Sequence, residues 1–135
     1  YSIFTRSWYW LQYVLVCFLL NAYPLPQTTA GTRRALRYAG ELAEKAYSTL
    51  IFPEGERSPD GEMQSFQPGV GLLAKQLDLP VLPIRIEGTY SLFSKYRKIP
   101  RPGRVQVCFL PALRPGPGEG AASLTFRVEE SIRNS

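Results

Sequence analysis

The chain alternates between apolar runs and polar, proline-marked breaks, and that alternation defines its elements. Residues 8–20, Trp-Tyr-Trp-Leu-Gln-Tyr-Val-Leu-Val-Cys-Phe-Leu-Leu, are apolar except for Gln12. As a helix this run would span about 20 Å, short of the roughly 30 Å hydrocarbon core of a bilayer. Two readings fit it. It is a buried helix, or a helix dipping into one leaflet with Trp8, Tyr9 and Trp10 at headgroup level beside Arg6. Pro24 and Pro26 then end the helix and impose extended backbone. Thr28 or Thr29 offers a cap for the next element.

From about Gly31 to Ala46 the residues Ala35, Ala39, Leu42 and Ala46 recur at helical spacing, and Glu41 and Lys45 make a favourable i,i+4 pair. The spacing predicts an amphipathic helix. Thr49-Leu50-Ile51-Phe52, closed by Pro53, reads as a short buried strand of the kind found in parallel sheets. A polar turn-rich loop follows at 54–61. A second helix after Pro68-Gly69 carries Val70, Leu73, Ala74 and Leu77 on one face. Residues 81–86 read as a strand with Leu82, Ile84 and Ile86 on one face, and Pro83 marks an edge or an interrupted ladder. Residues 89–103 read as a loop. Residues 104–110 form a third strand, with Val105, Val107 and Phe109 alternating. The segment 111–120, rich in Pro and Gly, reads as a surface loop. A last helix starts near Ala121, with Leu124, Val128 and Ile132 at i, i+4, i+8. Helix and strand interleave, so the expected class is α/β: a mixed, mostly parallel sheet flanked by helices.

Composition narrows what such a fold can do. The 135 residues make one domain. Tyr1 stands where a Met would open a complete chain, so the expectation is a partial domain whose N-terminal part lies outside this sequence. An apolar share of 44% excludes disorder as the main state. There is no histidine, which removes the commonest general base and the commonest metal ligand. The two cysteines, Cys17 and Cys108, lie in apolar runs and read as buried free thiols. Two Cys without His build no zinc site. The net charge of +5 comes from 16 Lys and Arg against 11 Asp and Glu. Lys95, Arg97, Lys98, Arg101 and Arg104 supply a stretch without a single acid, read either as a solvated loop or as a contact for anionic headgroups or the phosphates of coenzyme A. No nucleic-acid module accompanies the positive charge.

The residues with chemistry follow the first predicted strand. α/β sheets bind ligands at strand ends, and here that place is Phe52-Pro53-Glu54-Gly55-Glu56-Arg57-Ser58. Gly55 lets the backbone turn sharply. Arg57 offers a planar fork for a phosphate and Ser58 a hydroxyl. Glu54 accepts hydrogen bonds only, so it pairs with Arg57 or holds a ligand hydroxyl. The plain alternative is a charged turn closed by an internal Glu54–Arg57 pair.

This block resembles the Phe-Pro-Glu-Gly-x-Arg-Ser signature of the glycerolipid acyltransferases, the 1-acyl-sn-glycerol-3-phosphate acyltransferase group. The stretch from Asn21 to Gln27 resembles the family's block before the helix, Phe66-Gln67-Pro68-Gly69 its Phe-Lys-x-Gly stretch, and Val81-Leu82-Pro83-Ile84 its Val-Pro-Val-Val-Pro-Val block. The four blocks occur in family order and cover roughly residues 20 to 113. The resemblance implies a glycerol-phosphate-acyltransferase-like fold and transfer of a fatty acyl group in phospholipid synthesis. The donor is acyl-CoA or acyl-carrier protein, a co-substrate and not a bound cofactor. The acceptor is a glycerol-phosphate or lysophospholipid hydroxyl. It further implies a membrane-associated protein at the cytoplasmic face. The acceptor-binding residues it implies are Glu54, Gly55, Arg57 and Ser58, with Arg57 the principal phosphate contact. The family's base comes from a His-x-x-x-x-Asp block, which these 135 residues lack. The catalytic residues are therefore expected outside this chain, and the chain alone is expected to be inactive. The rival reading is a catalytically dead module that binds phospholipid or an acyl carrier at a membrane. Three positions depart from the family pattern. Glu56 stands for the usual Thr, and Gln27 and Gln67 for the usual Arg and Lys, which removes two phosphate donors.

Overall fold

The computed structural model describes residues 29–135, together with Val14, Phe18 and Leu19, which are helical. The rest of the expected helix at 8–20, the block at 21–27 and the Thr28 cap lie outside the described residues. Two compact units divide the chain, residues 1–46 and Tyr47–Ser135.

In the first unit α1 spans Thr29–Glu44. Ala39 is buried and Leu42 half-buried, as the helical spacing predicts, whereas Ala46 is exposed. Its ion pair is Arg37–Glu41 at 3.5 Å, one turn earlier than the expected Glu41–Lys45 pair. The reason is where the helix stops. Lys45 N–H already donates to Leu42 C=O at 3.1 Å, and Ala46 takes a positive φ of 59°. Lys45 has left the helical stripe that would have brought it to Glu41.

In the second unit α2 (Gly69–Leu77) packs against α4 (Ala121–Arg133). Their shared core is Ala74, Leu124 and Val128, with Phe66, Val81, Leu113 and Ile132 packed around it. The helices approach closely at Gly71, whose missing side chain leaves room for the Ala121 carbonyl and the Thr125 hydroxyl. Thr125 is buried and fully used. Its Oγ1 accepts from Gly71 N–H at 3.2 Å and donates to Ala121 C=O at 2.9 Å. A buried hydroxyl is tolerated when both of its roles are met.

The sheet among the described residues has two strands, β1 (Ile84–Glu87) and β2 (Gln106–Phe109). They run antiparallel, with Ile84 opposite Phe109 and Ile86 opposite Val107. The expected mostly parallel sheet is not what these strands form. The expected strand at 49–52 is also absent: Leu50 is 70% and Phe52 69% exposed, and no neighbour among the described residues pairs with them. An extended apolar run becomes a strand only when another strand supplies its hydrogen bonds. Pro83 interrupts a ladder as expected. An isolated bridge joins Val81 to Leu113, and the pairing resumes past Pro83, whose carbonyl accepts from Leu110 N–H at 3.0 Å.

Two segments expected to be loops carry more structure than that. Residues 111–120 tie down at both ends. Leu113 pairs with Val81, and the Glu119 carboxylate accepts from Gly116 N–H and Arg127, both at 2.7 Å. Residues 88–104 begin with Gly88 at φ +86° and continue into a short helix, α3 (Thr89–Leu92). Gly88 lies against the Arg104 carbonyl, so close that no side chain would fit, and Arg101 N–H donates to Leu92 C=O at 2.8 Å. The excursion between the two strands is thus pinched at its base. Cys108 on β2 is a free thiol, as expected, but half-buried instead of buried. Among the described residues no helix is long and apolar enough to cross a membrane.

Candidate functional site

The segment 52–58 forms a turn whose shape comes from its own sequence. Pro53 suits the second position of a turn, and Gly55 N–H donates back to Phe52 C=O at 3.2 Å. Gly55 has φ +79°, the left-handed region that glycine adopts without penalty. The sharp bend expected at Gly55 is therefore present.

The plain alternative, a turn closed by an internal Glu54–Arg57 pair, is not what forms. Glu54 does not meet Arg57. It is half-buried, and its Oε2 accepts from Gln64 N–H at 2.8 Å, which closes the loop 54–64 across its neck. Arg57 points the other way, into the 88–104 excursion. Its Nη2 donates to the carbonyls of Phe93 at 2.5 Å and Ser94 at 2.8 Å, and its guanidinium carbon lies 4.5 Å from the Phe93 ring centroid. The reason for the separation is competition. Two backbone acceptors and an aromatic face satisfy the guanidinium, and a backbone donor satisfies the carboxylate. One exposed ion pair offers less.

Ser58 also has an internal role. Its hydroxyl donates to Asp60 Oδ1 at 2.9 Å and accepts from Gly61 N–H at 2.8 Å. Asp60 accepts in addition from Glu62 N–H at 3.0 Å. That backbone hydrogen bond first, and the Ser58 hydroxyl second, hold the Asp60 carboxyl below the usual carboxylate range. Tyr90 of α3 donates its hydroxyl to Pro59 C=O at 2.9 Å, and Glu56 pairs with Lys95 at 3.0 Å. Three contacts, from Glu56, Arg57 and Pro59, therefore fasten the turn to the basic excursion.

The block at 66–69 joins the same site. Gln67 N–H donates to Pro53 C=O at 2.8 Å, and Gln67 Cγ sits in ordinary contact distance of where a Gly55 side chain would begin. Phe66 N–H donates to Glu129 Oε2 at 3.0 Å, and Arg133 meets the other carboxylate oxygen at 2.8 Å. The Phe66 bond first and Arg133 second hold Glu129 below the usual range. Glu129 was not singled out by the sequence pattern. It reads there as one more acid on the polar face of a helix, with nothing to mark a partner 63 residues away.

What the arrangement offers a ligand is a guanidinium on an exposed rim. Nη2 is committed to carbonyls, while Nε and Nη1 make no hydrogen bond to the described residues. They point to different sides of the fork, so each offers a phosphate a single charge-assisted hydrogen bond, not a bidentate grip.

Residues 5–87 match the family model described as Acyltransferase. The chain is 36% identical over 107 residues to the 1-acyl-sn-glycerol-3-phosphate acyltransferase of Pseudomonas aeruginosa, covering 76% of this chain and 40% of that protein. It is 40% identical over 102 residues to 1-acyl-sn-glycerol-3-phosphate acyltransferase alpha of Mus musculus, covering 72% of this chain and 35% of the mouse protein. Among solved structures it is similar to the 1-acyl-sn-glycerophosphate acyltransferase PlsC of Thermotoga maritima, with a TM-score of 0.69 and 37% identity over 75% of this chain and 42% of that one. The chain belongs to the acyltransferase family. The matched stretches span between 16% and 42% of the length of the curated relatives.

Proposed function

We propose that the protein containing these residues transfers a fatty acyl group from acyl-CoA or acyl-carrier protein to a hydroxyl of a glycerol phosphate or lysophospholipid, in phospholipid synthesis at a membrane surface on the cytoplasmic side. The observation that carries this reading is the turn at 52–58, whose Arg57 keeps its Nε–H and Nη1–H groups free of hydrogen bonds to the described residues. An anionic acceptor phosphate would be held there by charge-assisted hydrogen bonds. In the transfer, the acceptor oxygen attacks the thioester carbonyl as a base takes its proton. The tetrahedral intermediate then collapses, the C–S bond breaks, and the thiolate leaves and is protonated. The base is a His with an orienting Asp from outside these 135 residues, which contain no histidine. Glu54 does not fill that place, since it accepts from Gln64 N–H and shapes the loop. Glu54 and Ser58 thus act on the acceptor by holding the turn, and Arg57 acts by contact. The larger sheet proposed for the whole protein would pair the extended 49–52 run with a strand outside the described residues.

Calorimetric titration of the chain with lysophosphatidate below its micelle concentration tests this. Saturable binding is expected, none is expected for the matching monoacylglycerol without phosphate, and Arg57→Gln is expected to weaken binding about tenfold or more. Equal binding of the phosphate-free analogue, or an affinity indifferent to Arg57→Gln, overturns the reading. With acyl-CoA added, the chain alone is expected to give no phosphatidate.

A further inference from the structure

We propose that residues 93–104, the tip and return limb of the excursion between β1 and β2, dock this chain onto an anionic lipid bilayer. The proposal starts from exposure. Ile99 at 78% and Tyr96 at 74% are the most exposed large apolar side chains of the unit Tyr47–Ser135. Five cations flank them, Lys95, Arg97, Lys98, Arg101 and Arg104, and no acid lies between Gly88 and Arg104. Among the described residues only Lys95 of these five is used in an ion pair, with Glu56.

This pattern is held in place, not floppy surface. Arg97 N–H donates to Ser94 C=O at 3.1 Å, Arg101 N–H to Leu92 C=O at 2.8 Å, and Leu92 covers Gly103. Pro100 and Pro102 fix their own φ angles. Arg57 clamps the near end through Phe93 and Ser94. A segment so braced could have turned an isoleucine and a tyrosine inward, and it presents them to solvent between cations. One tyrosine and one isoleucine are too little area for a stable protein interface, which needs on the order of 1,000 Å². They do suit a bilayer, where the aromatic ring sits at headgroup level, the aliphatic tip enters the acyl boundary, and each nearby cation adds about fivefold to binding on an anionic surface. Charge complementarity selects the occupant. The clamp gives it a purpose: whatever holds the excursion on the bilayer also holds the turn at 54–58 there, where a lysophospholipid acceptor would enter. That purpose rests on the function proposed above, but the docking itself is measurable without turnover.

The test uses the chain with Ile99→Cys, Cys17→Ser and Cys108→Ser, whose single thiol, at position 99, is labelled with an environment-sensitive NBD fluorophore. Vesicles of phosphatidylcholine with 30 mol% phosphatidylglycerol are expected to shift its emission to the blue and intensify it, and pure phosphatidylcholine vesicles are not. The same label at Ser123→Cys on α4 is expected to stay unchanged. In the otherwise unsubstituted chain, Lys98→Gln with Arg101→Gln is expected to lower the vesicle partition coefficient about 30-fold. Three results overturn the proposal: no shift at position 99 with anionic vesicles, an equal shift at position 123, or a shift produced by free coenzyme A and not by vesicles. A partition coefficient unmoved by the double substitution does so as well. Because no substrate is present, a failure here is read separately from a failure of acceptor binding at Arg57.

Discussion

Arg57 and Phe93 are 36 residues apart in sequence and joined twice in space, once through Nη2 and the Phe93 carbonyl and once through the guanidinium over the ring. A planar cation makes both contacts at once; a lysine ammonium has donors enough for the Phe93 and Ser94 carbonyls but no planar face to lay over the Phe93 ring. Arg57→Lys and Arg57→Ala are therefore both expected to loosen the excursion, Ala the more. The clamp is worth roughly 1.5 kcal/mol in this exposed setting. Amide exchange at Arg97 and Arg101 should then speed up about tenfold in Arg57→Ala, measured by hydrogen–deuterium exchange. Unchanged exchange at those two amides would show that the excursion holds its shape without Arg57.

Gly71 and Thr125 make a second pair with a defined cost. A methyl group at Gly71 would overlap the Ala121 carbonyl oxygen and the Thr125 hydroxyl. The α2–α4 contact must then open, and Gly71→Ala is expected to destabilise by about 3 kcal/mol. Thr125→Val keeps the volume but leaves the buried Gly71 N–H without an acceptor, a cost of about 1–3 kcal/mol. Thr125→Ser, which keeps the hydroxyl, should cost less than Thr125→Val. Urea denaturation of the three variants measures the order, and a Gly71→Ala midpoint equal to that of the parent would contradict the close packing of α2 on α4.

The helices were the legible part of the sequence. Leu124, Val128 and Ile132 at i, i+4, i+8 mark the buried stripe of α4 directly, because a helix face is encoded within a dozen residues. Pro83 announced a broken ladder, and the ladder breaks there. Strand identity was less legible, since the run at 49–52 has the composition of a strand but its pairing depends on a neighbour far away in sequence. The site was readable as a block and not as a network. Glu54, Gly55, Arg57 and Ser58 could be picked out, and the turn at Gly55 anticipated. Nothing local distinguishes an Arg57 that pairs with Glu54 from one that reaches across to Phe93 and Ser94. Glu129 was invisible for the same reason, because its partner Phe66 is a backbone N–H, and every residue but proline has one.

Gly55 isolates backbone strain from steric overlap. At φ +79° an alanine side chain would meet Gln67 Cγ only at ordinary contact distance, 3.5 Å. The expected penalty for Gly55→Ala is therefore the left-handed conformation itself, about 1–2 kcal/mol, with a fall in Tm of roughly 3–8 °C. Gly55→Asn, which tolerates that region better, should lose about half as much. If Asn and Ala melt together, the penalty lies elsewhere than in φ. Both substitutions should also weaken lysophosphatidate binding, because the turn sets where the free N–H groups of Arg57 point.

Glu129 makes the stability of the site region depend on pH in a direction fixed by its partners. Its carboxylate accepts from Phe66 N–H and from Arg133, which together hold its pKa below the ordinary 4.5. A carboxyl depressed in the folded state stabilises fully above its unfolded pKa and loses that contribution as pH falls through its folded pKa. The parent chain should therefore outlast Glu129→Gln in urea at pH 7 and at pH 5. The gap should close on acidification below pH 4.5, as the parent's own carboxylate takes up a proton. Asp60 and Glu119 are depressed too, by the Glu62 N–H and by Arg127 respectively, but they titrate alike in both proteins and cancel from the difference. The loss should also be local. Phe66 lies on the core and Gln67 bonds Pro53, so the Gln67 amide should exchange faster in Glu129→Gln at pH 7. A gap in urea midpoint that stays constant from pH 7 to pH 3 would mean that the Glu129 carboxylate is not held by Phe66 in solution.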